Sequence, residues 1–322
     1  MKPRFNGREI RLFCYLAVVL AVVAWRFLPR PWHPQQVVET AHFRIYSNDT
    51  LPQTQNTARV LEFLYTAYSN RLGAIPGFQT EPAALQVKLF KDRKQMRWVN
   101  PGLGWAEAFY QAPYCRAYFS DGEVNPYHWM LHEATHQLNH EVAHLKLAKW
   151  LEEGLAEYFS TSQIRSGGLA AGQIDPSTYP VWWLDDLATS TNLAVNLTNG
   201  SVIPLRAILT GRGGPRMDDQ VNLYYLHWWT LTYFVFESPN HRDRALSLAQ
   251  RGGDLPAFEE LIGPVDQVQI EWHAYVQRMK AALAGKDRDF LRLKKIPRPF
   301  DALTSPSPDN PSGTCPRHAG RC

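Results

Sequence analysis

His128-Trp129-Met130-Leu131-His132-Glu133-Ala134-Thr135-His136-Gln137-Leu138-Asn139-His140-Glu141-Val142-Ala143-His144 carries a histidine at every fourth position, and five of the chain's eleven histidines fall here. Asn125-Pro126 just upstream is a helix start, because Asn caps orphan amides and Pro is pre-organised at the first helical position. On a helical projection Tyr127, Met130, Leu131, Ala134 and Leu138 gather on one arc, and His132, Glu133 and His136 share the opposite one. The segment therefore packs with one face and keeps the other for chemistry. Within it, His132 to His136 reads HExxH. Two imidazoles one turn apart chelate one ion, and the glutamate beside the first is placed to act as general base on a metal-held water.

A two-histidine motif needs a third ligand, and the stretch Trp150-Leu151-Glu152-Glu153-Gly154-Leu155-Ala156-Glu157-Tyr158-Phe159 offers Glu153. Sixteen residues separate it from His136, enough to end one helix, turn, and return a second to the ion. Glu157, one turn later on the same face, is placed to hydrogen-bond a ligand histidine from behind. A competing motif, His140-Glu141-Val142-Ala143-His144, overlaps the first in the same helix. Choosing it would leave only eight residues before Glu153, with no glycine between Gln137 and Glu153 to make a tight reversal. The first motif is therefore preferred, with His140 and His144 as surface or supporting residues.

HEATHQL followed by WLEEGLAEYFS resembles the peptidase MA-like gluzincin metallopeptidases, distantly related to aminopeptidase N and thermolysin. The resemblance extends over roughly residues 40–280: HFRIYSN, LQVKLFKDRKQM, LYYLHWW and FEELIG…WHAYV fall in the order that group shows. It implies an α+β fold, a thermolysin-like zincin in which a small mixed sheet packs on the active-site helix above a helical C-terminal lower part. It also implies one Zn2+ held by His132, His136 and Glu153, with Glu133 as catalytic base, Glu157 supporting the ligands, and a peptide or protein substrate laid along a sheet edge. In related gluzincins a tyrosine or histidine of the lower part stabilises the oxyanion, which points here to Tyr224, with Tyr225 and His227 behind it. The same aromatic residues read equally well as core. No free-amine-binding motif of the aminopeptidase kind precedes His132, which leans towards endopeptidase action or a specialised substrate.

With 45% hydrophobic and 20% charged residues the chain is globular, not disordered. Its formal charge of +4 is concentrated at the ends: six cations against Glu9 in residues 1–30, and eight cations against four carboxylates in residues 286–322. What lies between is net acidic, about −5, which argues against nucleic-acid binding by the core. Lys2, Arg4, Arg8 and Arg11 precede an apolar run from Leu12 to Ala24, extended by Trp25. This is either a cleaved signal peptide or a membrane anchor over about residues 12–28, and both place the remainder outside the cytoplasm, secreted or tethered.

The expected organisation is this N-terminal segment (1–30), a proline-rich linker (31–40), the gluzincin-like metallopeptidase domain (41–285), and a basic, Pro/Ser-rich disordered tail (286–322). Strands are expected at His42–Ser47 and Leu85–Lys91, helices at Thr57–Leu72, Trp150–Ser160 and Val221–Phe236, and helical structure onward to Leu283. Ala106–Phe119, interrupted by Pro113, suits two short strands or an edge strand with a bend, and Trp105 to Tyr110 is the edge that would pair with substrate. Residues from Ser160 to about Ser201 read as a glycine-punctuated loop. Cys115 reads as a buried small hydrophobe, and Cys315 and Cys322 as a pair that an oxidising compartment would join. Two other functions share these features: a membrane-tethered interaction module with a structural ion, and a zinc hydrolase of a non-peptide substrate. A purely structural site has no use for Glu133, which disfavours the first.

Overall fold

The computed structural model describes residues 6–28, 30–103 and 106–292. Gly104 and Trp105, and the tail with Cys315 and Cys322, lie outside the described residues. The fold is mixed α+β with a small mixed sheet. Its first helix, α1 (Gly7–Phe27), leads into β1 (Gln36–Glu39) and β2 (Phe43–Ser47). Then follow α2 (Leu51–Leu72), β3 (Leu85–Phe90), α3 (Arg93–Val99), β4 (Phe109–Gln111) and β5 (Tyr114–Tyr118). In the sheet, β1 runs antiparallel to β2, β2 and β5 lie parallel on either side of β3, and β4 closes the far edge antiparallel to β5. Alternation explains the placement: Phe43, Ile45, Leu85, Val87, Leu89, Cys115 and Ala117 are all buried.

Two features correct the sequence reading. The sheet begins at Gln36, inside the stretch expected to be a linker, and Trp32 packs against Phe90 with ring centroids 4.9 Å apart. The prolines at 31 and 34 misled because they precede the strand rather than interrupt it. Helix α2 starts at Leu51, six residues before Thr57, because the Thr50 side chain accepts from the Gln53 amide and Pro52 occupies the first turn.

The helix α4 (His128–Glu141) packs across the sheet face, and α5 (Lys149–Ser160) packs against α4. A hairpin of β6 (Ser162–Arg165) and β7 (Gly168–Ile174), then α6 (Leu193–Asn199), occupies the region expected to be loop. The lower part comprises α7 (Leu205–Thr210), α8 (Val221–Glu237), α9 (Arg242–Gln250), α10 (Leu255–Leu261) and α11 (Val265–Arg292), the last continuing past Gly285. One apolar core joins sheet and helices, with α8 through its centre: Trp229, Leu231, Tyr233 and Val235 are buried, as are Trp150 and Trp272 from α5 and α11.

The crossing of α5 and α8 requires Gly154. A Cβ there would lie 2.6 Å from the Trp228 carbonyl oxygen and collide with the Thr232 hydroxyl. Because Gly154 faces α8, Glu153 and Glu157 turn towards α4. Behind this crossing Tyr158 donates to Glu237 at 2.5 Å, and Arg71 ion-pairs with the same carboxylate.

Candidate metal centre

Helix α4 ends where its sequence still reads as helix. Its last turn closes with Ala143 donating to Leu138 and Leu145 donating to Asn139, and His144 adopts a left-handed conformation with φ 51°. The reversal is thus made without a glycine, by a histidine, a residue type enriched in this region of backbone space. The second HExxH is thereby dismantled, since His144 has left the helix and His140 is 55% exposed in its side chain. His140 Nε2 comes within 3.8 Å of Glu152 on α5.

The first motif is assembled with Glu153. His132 Nε2 and His136 Nε2 lie 3.1 Å apart, and Glu153 Oε2 stands 3.4 Å from the first and 3.7 Å from the second. Among the described residues this is the group of three whose donor atoms lie mutually within 4.8 Å. For a metal bound at about 2.0–2.1 Å with tetrahedral angles, donors stand about 3.3 Å apart, and the three observed distances bracket that spacing. The donor set, two imidazole nitrogens and one carboxylate, suits a borderline-soft divalent ion.

Behind the ligands each ring's other nitrogen meets a carboxylate. His132 Nδ1 lies 3.1 Å from Glu157 Oε1, and His136 Nδ1 lies 2.8 Å from Glu152 Oε1. Glu152 accepts the Nδ1–H of His136, which turns that ring's Nε2 towards the cluster, while Glu157 approaches His132 Nδ1 as an ion-pair partner. Glu157 is fully buried and also receives the Ser160 hydroxyl at 3.3 Å, while Glu152 receives the Asn139 amide at 3.2 Å. Sequence reasoning identified Glu157 and missed Glu152. The signal was the Glu-Glu pair itself, because on a helix starting at Lys149 the two side chains diverge by about 100° and can serve different histidines.

The electrostatics describe a site built for positive charge. Burial opposes a charged His132, yet the carboxylates of Glu157, Glu153 and Glu133 raise its pKa well above the ordinary imidazole value. Burial likewise pushes the Glu153 carboxyl up, but the His132 hydrogen bond and the charges of His132, His136 and Lys149 hold it down at about 2. A proton on His132 and a metal ion would compete for the same negative surroundings, and an ion would engage all three donors at once.

Glu133 is half-buried on the open side of the cluster, and its Oε2 accepts the backbone amide of Tyr110 at 2.7 Å. The edge strand β4 is thus joined to the glutamate of the HExxH motif. The Tyr110 hydroxyl donates to Glu141 at 2.8 Å, and its ring stacks on His140.

Across the cluster, α8 presents Tyr225, not Tyr224. The Tyr225 ring centroid lies 6.2 Å from that of His132, and its phenol pKa is pushed up by burial, by the charges of Glu153 and Glu157, and by a hydrogen bond to Glu153. The Tyr224 hydroxyl instead donates to the Pro215 carbonyl at 2.8 Å, and His227 is buried against Trp272, its Nε2 accepting the Ile203 amide. One residue on a helix is about 100° of rotation, which separates the cluster face from its neighbour. Tyr179 and Trp129 continue the aromatic wall beyond Tyr225, with Tyr179 held by Asn222. Comparison of the chain with family models and with curated proteins returns no match.

Proposed function

We propose that this chain is a zinc-dependent hydrolase of peptide bonds, built on a thermolysin-like plan and held at a membrane or exported by its N-terminal segment. The observation that carries the reading is the convergence of three donors at tetrahedral spacing next to a glutamate that is not one of them. The resemblance of HEATHQL and WLEEGLAEYFS to gluzincins supports the same reading, as does a sheet edge beside the cluster.

Zinc held by His132, His136 and Glu153 would supply Lewis acidity, acidifying water and polarising a carbonyl. The chain's own groups carry the rest. The Glu133 carboxylate, oriented by the Tyr110 amide, takes a proton from water as its oxygen bonds to the carbonyl carbon. It returns that proton to the nitrogen when the C–N bond breaks. Tyr225, kept protonated by burial and by neighbouring carboxylates, donates to the oxygen on which negative charge develops. Glu152 and Glu157 hold the two ligand imidazoles in one tautomer and one orientation.

The test is digestion of denatured casein and a peptide library by the purified chain, with chelator and with zinc restored. Cleavage that chelation removes and zinc returns supports the proposal. Stoichiometric zinc with no new peptide termini would assign the ion a structural role.

A further inference from the structure

The N-terminal helix does not hang from the domain on a loose tether. Arg30 donates its backbone amide to Val99 at 2.7 Å and its guanidinium to the carbonyls of Trp98 at 2.6 Å and Trp25 at 3.3 Å. The same guanidinium lies over the Trp25 ring at 4.8 Å and over the Trp98 ring at 5.0 Å. Arg26 donates to the Pro101 carbonyl at 3.1 Å. These contacts join the end of α1 to α3 and to the turn that follows it.

Helix α3 is two-faced. Met96 and Val99 are buried with Phe90, Trp32, Leu103 and Tyr118, while Arg93, Lys94 and Trp98 point outward. Trp25 and Trp98 are 68% and 56% exposed, large values for indoles that also contact a cation. Lys91-Asp92-Arg93-Lys94-Gln95-Met96-Arg97-Trp98 carries four cations against one carboxylate, with Arg93 and Arg97 sharing Glu107, on a domain that is otherwise net acidic. Above this collar, α1 exposes apolar side chains on all sides, among them Leu12 at 71% and Phe13 at 72%. No helix among the described residues is long and apolar enough to cross a membrane. A helix apolar all round nonetheless needs an apolar surrounding. Indoles with cations beside them suit the layer between acyl chains and water.

We propose that the outward face of α3, with Trp25, Trp98, Arg30 and Lys94, lies on the headgroup layer of an anionic phospholipid bilayer into which α1 inserts. The domain is then held in one orientation at the surface. The continuity of the collar with α1, whose apolar side chains are exposed all round, selects a bilayer as the occupant, and the cations beside the indoles suit an anionic leaflet. This inference rests on the membrane reading of the N-terminal segment and is independent of catalysis.

The full-length chain, carrying p-benzoylphenylalanine in place of Leu16, Trp98 or Trp182, is reconstituted in phosphatidylglycerol–phosphatidylcholine vesicles and irradiated. Lipid adducts are then measured by mass spectrometry. Trp182 is a comparably exposed indole on the helical part, 52% accessible. Adducts are expected from positions 16 and 98 and only background from 182. Lys94→Ala is expected to lower labelling at 98 by about five-fold, the weight of one surface cation at an anionic leaflet, without changing labelling at 16. Labelling at 98 no greater than at 182, with 16 labelled, overturns the docked face and leaves the tether standing. Absence of labelling at 16 overturns both.

Discussion

The backbone amide of Tyr110 donates a 2.7 Å hydrogen bond to Glu133 Oε2, so the edge of the sheet and the acid on the metal helix are one unit. A strand that hydrogen-bonds a side chain on the site helix aligns anything paired along it with that side chain. On the proposed function, substrate backbone laid beside the β4 edge would arrive next to Glu133.

The carboxylates behind the ligands are open to direct test. Glu152→Ala removes the acceptor for His136 Nδ1, 2.8 Å away. It should lower zinc affinity about 10- to 100-fold, with circular dichroism unchanged. Competition with a chromophoric chelator measures this, and an unchanged affinity would show that His136 is oriented by other means.

The two adjacent tyrosines of α8 should separate cleanly. Tyr225→Phe removes the phenol facing Glu153 and is expected to lower turnover about 10²- to 10³-fold at equal zinc occupancy. Tyr224→Phe removes only the bond to the Pro215 carbonyl and should leave turnover within about three-fold, at a stability cost of about 1 kcal/mol. Equal turnover losses in the two variants would refute the assignment.

Gly154 sets how near α5 approaches α8. Gly154→Ala drives a methyl into the Trp228 carbonyl and Thr232, and should destabilise the chain by at least about 1–3 kcal/mol. Gly167→Ala, where an added Cβ meets nothing within 4 Å, should shift stability by less than about 0.5 kcal/mol. Urea unfolding of the two variants compares them directly.

Acid should weaken the lower part of the fold through His227. Burial lowers its pKa to about 4, the Leu223 carbonyl opposing weakly, and Nε2 must stay unprotonated to accept the Ile203 amide at 3.0 Å. The folded value lies below the unfolded value of about 6.5, so the contribution is complete above pH 6.5 and is lost as pH falls towards 4. The loss amounts to about 3 kcal/mol. His227→Gln, which keeps an acceptor but cannot titrate, should flatten the stability profile over that window. Parallel profiles for variant and parent would contradict the account.

Much of the site was legible because it is written locally. His132, Glu133 and His136 share one helix face by spacing alone, and Glu153 and Glu157 repeat that logic on the next helix. What escaped depended on helix phase or on tertiary partners. Tyr224 and Tyr225 are chemically identical neighbours, and only the packing of α8 against α5 decides which one turns to the cluster. Glu152 looks like a solvated partner of Glu153 until Asn139 and His136 are placed beside it. The reversal after α4 carries no glycine to announce it, because it is made by a histidine, His144, at φ 51°. In the sheet, Phe43–Ser47 and Leu85–Phe90 announced themselves by alternation. By contrast β1 and the β6–β7 hairpin are short, rich in small or polar residues, and defined by pairing rather than by pattern.

The most direct measurement compares the parent chain with Glu133→Gln, reading zinc content and peptide hydrolysis on the same preparations. Both proteins are predicted to hold one zinc per chain, because Glu133 is not a ligand, and the variant is predicted to lose hydrolysis by about 10²- to 10⁴-fold. Equal hydrolysis by the two proteins, or a chain that binds no stoichiometric zinc, would contradict the central claim.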